Sequence, residues 1–85
     1  MRQATEVYTR RFDAIFFALP TATQARIDEQ IGRLGRNLEA HPHHRLQGRS
    51  EFRLRVGDYR VIYELDLERN ELHLIALGNR REIYR

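Results

Sequence analysis

The sequence has no cysteine and no lysine; all fifteen of its basic residues are arginine. Without cysteine, no disulfide stiffens the chain and no thiol can act as nucleophile or metal ligand. Long apolar runs are missing too. The longest, Ala14 to Leu19, is six residues, where a membrane-spanning helix needs about 20. The opening segment Met1-Arg2-Gln3-Ala4-Thr5-Glu6 lacks the apolar core of a secretory signal. No membrane partner is expected, and the cytoplasm is the expected location. There are no internal repeats, low-complexity stretches or linker-like segments, and 85 residues fit a single domain, taken as 1–85.

The absence of lysine has two readings. One is a base-composition bias in the coding DNA. The other is that guanidinium suits planar, two-point contact with phosphate. Net charge is only +3, so where the arginines fall must decide between them.

Glu6-Val7-Tyr8-Thr9 reads as a short strand. Phe12, Ile15, Phe16 and Leu19 then share one face of a helix that Pro20 ends. Thr21 with Gln24 has the pattern of a capping box opening a second helix, whose apolar face is Ile27, Ile31, Leu34 and Leu38. Gly32 and Gly35 lower its helix propensity and point to close backbone packing. His41-Pro42-His43-His44-Arg45-Leu46-Gln47-Gly48 reads as a polar loop. Its histidines invite a metal, but no cysteine or dedicated carboxylate completes a ligand spacing. A solvated loop is expected there, with neither metal nor cofactor.

From Glu51 the period changes to 2. Phe52, Leu54 and Val56 alternate with Arg53 and Arg55, and Gly57-Asp58 is a two-residue hairpin signal. A second strand follows over Tyr59 to Asp66, a turn at Leu67-Glu68-Arg69-Asn70, and a third strand from Glu71 to Leu77. The expected fold class is α+β: an N-terminal strand, a helical hairpin, then an antiparallel meander with the helices on one sheet face.

A two-residue turn fixes register. It sets Val56 opposite Tyr59, Arg55 opposite Arg60 and Arg53 opposite Ile62. The second turn predicts Asp66 opposite Glu71, Glu64 opposite His73, Ile62 opposite Ile75 and Arg60 opposite Leu77. One face, from Phe52, Leu54 and Val56 to Leu72, Leu74 and Ala76, is then apolar and takes the helices. The other gathers Arg53, Arg55 and Arg60 beside a strip of Ile62, Ile75 and Leu77, expected to be exposed and to receive a partner. Like charges facing across a ladder cost about 0.2–1 kcal/mol. A solvated basic face is the plain account of that cluster. An anionic ligand that supplies the missing partner is the better one, because segments far apart in sequence bring like charges to one place.

The block Phe52-Arg53-Leu54-Arg55-Val56-Gly57-Asp58-Tyr59-Arg60-Val61-Ile62-Tyr63-Glu64 resembles the core of RelE/ParE-superfamily toxins. The ending Gly78-Asn79-Arg80-Arg81-Glu82-Ile83-Tyr84 is similar to the RelE branch. The resemblance implies the toxin of a type II toxin–antitoxin system with a RelE-like microbial RNase fold. It implies an endoribonuclease that cleaves messenger RNA in the ribosomal A site and so inhibits translation. Its partners would be a cognate antitoxin, the ribosome and messenger, and operator DNA only through the antitoxin complex. By position, Arg53, Arg55, Arg60, Arg80 and Tyr84 match the family's active-site residues, with Arg49 and Arg81 as further RNA contacts.

One departure stands out. The best-known RelE pattern has lysines where this chain has Arg53 and Arg55, and arginine holds its proton too tightly to act as a base. Tyr84 is the matched residue that can titrate, and Glu51 and His44 are weaker proton-transfer candidates. The chemistry implied is metal-independent, because RNA carries its own nucleophile in the 2′-hydroxyl. The alternatives are a ParE-like gyrase inhibitor without nuclease activity, and an inactive antitoxin-binding co-repressor.

Overall fold

The computed structural model describes residues 2–79. They run β1 (Thr5–Tyr8), α1 (Arg10–Phe16), α2 (Thr21–Arg36), β2 (His44–Arg45), β3 (Phe52–Val56), β4 (Tyr59–Asp66) and β5 (Glu71–Asn79). The strands form one sheet in the order β1-β5-β4-β3-β2, antiparallel except that β1 lies parallel to β5. Both helices cover one face. The expected α+β architecture is therefore the observed one, with β2 added at an edge where a loop was expected.

The core forms where the helical and strand periods meet. Phe12 and Phe16 of α1, and Ile27, Ile31 and Leu34 of α2, pack against Val61, Tyr63, Leu72 and Leu74. Ile15, expected on the same helical face, is exposed instead: α1 is only two turns long and its buried stripe is Phe12 and Phe16. The capping box at Thr21 does not form. Pro20 occupies the N-cap position, leaving Thr21 inside the helix, and the Gln24 side chain donates to Leu19 O at 2.9 Å. Of the two helical glycines, Gly35 meets another segment closely: its carbonyl accepts from Ala4 N–H at 2.9 Å.

Two turns build the meander. Gly57 has φ +60, the left-handed value that a two-residue hairpin wants at its first central position. Asn70 closes the second turn at φ +54, and its side-chain amide donates to the carbonyls of Arg2 and Gln3.

Between these turns the register departs from expectation. Asp66 faces Glu71 and Glu64 faces His73 as predicted, but a bulge at Ile62/Tyr63 leaves Ile75 extra, so Ile62 faces Ala76 and Arg60 faces Gly78. The faces of the last residues of β5 are exchanged: Leu77 joins the helix-side core, and Ala76 pairs with Ile62 on the other face. The bulge has a physical anchor. Thr9 donates its hydroxyl to Ile75 O at 2.6 Å, while the same oxygen caps α1 by accepting from Phe12 N–H at 3.1 Å. The strip expected to be exposed is not. Ile62 is 4% exposed, Leu77 3%, and Leu46 from the β2–β3 connection packs over Ile62 and Ala76.

Candidate functional site

The face of the sheet away from the helices has a basic end and an acidic end. Arg53 and Arg55 of β3 alternate with the inward residues Leu54 and Val56, so both project outward. Arg55 and Arg60 are direct partners across the β3–β4 ladder, and Arg53 faces Ile62 in the neighbouring row. The partner of Arg60 on β5 is Gly78, which has no side chain to fill the space beside it. Arg55 also donates its Nε hydrogen to Gly57 O at 3.3 Å, which aims it along the turn.

Two further side chains border this end. Arg26 of α2 brings its guanidinium to the turn, within 3.5 Å of where a Cβ on Gly57 would stand. On the other side, β2 pairs His44 with Arg53. Arg26 was not prominent in the sequence, and His44 stood there only as a weaker proton-transfer candidate. Arg26 lies 31 residues before Gly57, and β2 is two residues long, too short to show alternation.

His43 fixes how β2 sits. Its Nε2 lies 2.6 Å from Leu38 O and its Nδ1 2.7 Å from the Tyr63 hydroxyl. A carbonyl can only accept, so Nε2 carries a hydrogen, and in that tautomer Nδ1 accepts from Tyr63. Burial pushes the Tyr63 phenol up to about 12, so it stays a donor at neutral pH. Burial, and then the neighbouring His43 and His44, lower the pKa of His41. This loop is thus only partly the solvated segment expected: His43 is half-buried, and its ring packs 5.4 Å from that of Phe52.

Of the residues expected to form the site, the fold brings Arg53, Arg55 and Arg60 together. Arg49 lies in the connection between β2 and β3, beyond the Phe52 end of the hairpin and away from the Arg55–Arg60 row. Arg80, Arg81 and Tyr84 fall outside the described residues. At the opposite end, a groove of about 700 Å³ is lined by Glu64, Asp66 and Glu68 together with Arg45, His73 and Phe52. Among the described residues no helix is long and apolar enough to cross a membrane.

Solved structures share this fold. The toxin–antitoxin complex RelBE2 of Mycobacterium tuberculosis contains a chain 25% identical, with TM-score 0.75, covering 93% of this chain and 100% of that one. A chain of the archaeal RelE–RelB complex from Pyrococcus horikoshii is 23% identical at TM-score 0.77, covering 95% of this chain and 99% of its own. The isolated RelE toxin of Escherichia coli, 15% identical, has the same fold at TM-score 0.77 over 95% and 90% of the two chains. No curated protein sequence matches the chain. The family model of the ParE toxin of type II toxin–antitoxin systems matches residues 4–84. The chain belongs to that family, a type II toxin of the RelE/ParE superfamily.

Proposed function

We propose that the toxin is a metal-independent endoribonuclease that cuts messenger RNA in the ribosomal A site. The observation that carries this reading is the facing pair Arg55 and Arg60 with Arg53 in the next row: three guanidinium groups on one open face, beside a glycine. Such a row is disfavoured in isolation and stabilised by a phosphate backbone.

The chemistry asks little of the protein. The 2′-hydroxyl is the nucleophile, and the chain must align it with the phosphate and stabilise the charge that develops. Holding the reacting groups in line can contribute up to about 7–11 kcal/mol. A single preset donor to the developing charge is worth about 2.7–4 kcal/mol. Arg60 and Arg80 are assigned to the phosphate, and Arg53 and Arg55 to the transition-state charge and the adjoining backbone. Arg49 and Arg81 contact RNA further out, and Tyr84 stacks on a base or moves a proton. A cognate antitoxin holds the toxin inactive and carries it to operator DNA, and the pair works in the cytoplasm. The antitoxin assignment is supported by solved relatives that are toxin–antitoxin complexes.

A second reading follows from the family match, which is to ParE toxins: inhibition of DNA gyrase without RNA cleavage. Induced expression separates the two. Loss of translation with messenger cut in the A site is the expected result. Intact translation with loss of supercoiling would replace this proposal by the second.

A further inference from the structure

Guanidinium groups bind phosphate but cannot accept a proton at neutral pH, so the arginine face by itself has no base. A titratable side chain that can accept a proton comes to that face from the edge strand β2. His43 turns to the helix side of the sheet, where it bonds Tyr63, and Arg45 turns to the same side, its guanidinium carbon 4.7 Å from the centre of the Phe52 ring. Strand alternation then sends His44 to the opposite side. There it is the ladder partner of Arg53, one row from Arg55 and Arg60, and it is exposed.

We propose that His44 takes the proton from the attacking 2′-hydroxyl, a role that rests on the ribonuclease reading above. The balance is complete. The 2′-oxygen bonds to phosphorus as its proton passes to the imidazole. The phosphorus–O5′ bond breaks, the departing oxygen takes a proton from water, and the imidazolium returns its own proton to the hydroxide left behind. The product is a 2′,3′-cyclic phosphate and a free 5′-hydroxyl. Imidazole suits this work because its charge changes between about pH 5 and 8.

The clamp on His43 is what makes the placement specific. Two hydrogen bonds, at 2.7 Å to Tyr63 of the sheet and at 2.6 Å to Leu38 after α2, fix the preceding residue, so His44 is held by its neighbour rather than carried on a free loop. The charged groups that share its face are Arg53 and Arg55 on β3 and Arg60 on β4. Glu64 lies further along β4, and Glu51 stands two residues before Arg53, on the side away from the arginine row. His41 flanks it on its own loop.

The test is single-turnover cleavage of A-site messenger on programmed ribosomes from pH 5.5 to 8.5, with wild type, His44→Gln, His44→Ala and Glu51→Gln. Messenger carrying a 2′-deoxy nucleotide at the cut site reports binding separately. The wild-type rate should rise with pH through the imidazole range. His44→Gln should lose about 10²-fold or more and flatten that rise, with binding unchanged. Added imidazole should partly rescue His44→Ala, and Glu51→Gln should keep the wild-type profile. Wild-type cleavage matched by His44→Gln in both rate and pH profile would overturn this assignment alone. Wild-type protein that cuts no messenger would overturn the ribonuclease reading and this assignment with it.

Discussion

The two faces of the sheet are made from the same strands, yet they follow opposite rules. Toward the helices, Val61, Tyr63, Leu72 and Leu74 are fully buried. Every position there is set by packing, and a lost atom leaves a hole. On the open face, Arg53 and Arg55 stand exposed on β3, and Arg55 faces another arginine, a pairing of like charges that a ladder does not favour. The covered face is built by packing; the open face gathers like charges that an anionic ligand would stabilise. Substitutions on the two faces should therefore fail in different ways.

The largest effect on stability belongs to the covered face. Phe12 is 0% exposed and joins α1 to the sheet; Phe12→Ala should destabilise by about 3–5 kcal/mol, measured by denaturant unfolding. A loss under 1 kcal/mol would mean that α1 is not part of the cooperative core. Thr9→Ala should cost about 1–2 kcal/mol, because one hydroxyl both caps α1 and satisfies the bulge carbonyl of Ile75. Thr9→Ser, which keeps the hydroxyl, should recover most of it.

Tyr63→Phe should cost about 1 kcal/mol at neutral pH, since Nδ1 of the half-buried His43 loses its donor. Its pH signature is more telling. The folded phenol is held up to about 12, while the unfolded one titrates near 10. Across that window the unfolded chain has released a proton that the folded chain still holds. Stability is therefore complete below pH 10 and is lost as pH climbs toward 12. Tyr8 is raised too, by burial first and then by Glu6, and keeps part of this alkaline loss. Tyr63→Phe should reduce the loss without abolishing it, as read from melting temperatures across pH.

The smallest effect tests the open face. Arg55→Gln removes one of two facing like charges and should raise stability by about 0.2–1 kcal/mol, while lowering activity. A fall in stability of that size would mean that the arginine row supports the fold after all.

Much of this division was legible in the sequence, and the exceptions have physical causes. The Arg55–Arg60 pairing follows from Gly57-Asp58, because a two-residue turn leaves only one register. The bulge was not legible. Leu72-His73-Leu74-Ile75-Ala76-Leu77 is apolar at nearly every position, so a one-residue slip at Ile75 buries as much as the regular register. What selects the slip is Thr9, 66 residues away. Strand β2 escaped for a related reason. Two residues have no periodicity, and His44–Arg45 becomes a strand because β3 offers an edge and His43 is anchored to Leu38 and Tyr63. Thr21 failed as a cap because the rigid ring of Pro20, φ −56, already occupies that position.

The central claim is that the arginine face acts on RNA. The most direct measurement is single-turnover cleavage of A-site messenger by Arg60→Ala and by the exposed variant Arg53→Ala, each shown by thermal melting to be folded. Arg60→Ala should lose about 10²–10³-fold in rate, the usual effect of removing one preset donor, with a smaller loss for Arg53→Ala. Cleavage by both folded variants at the wild-type rate would contradict it.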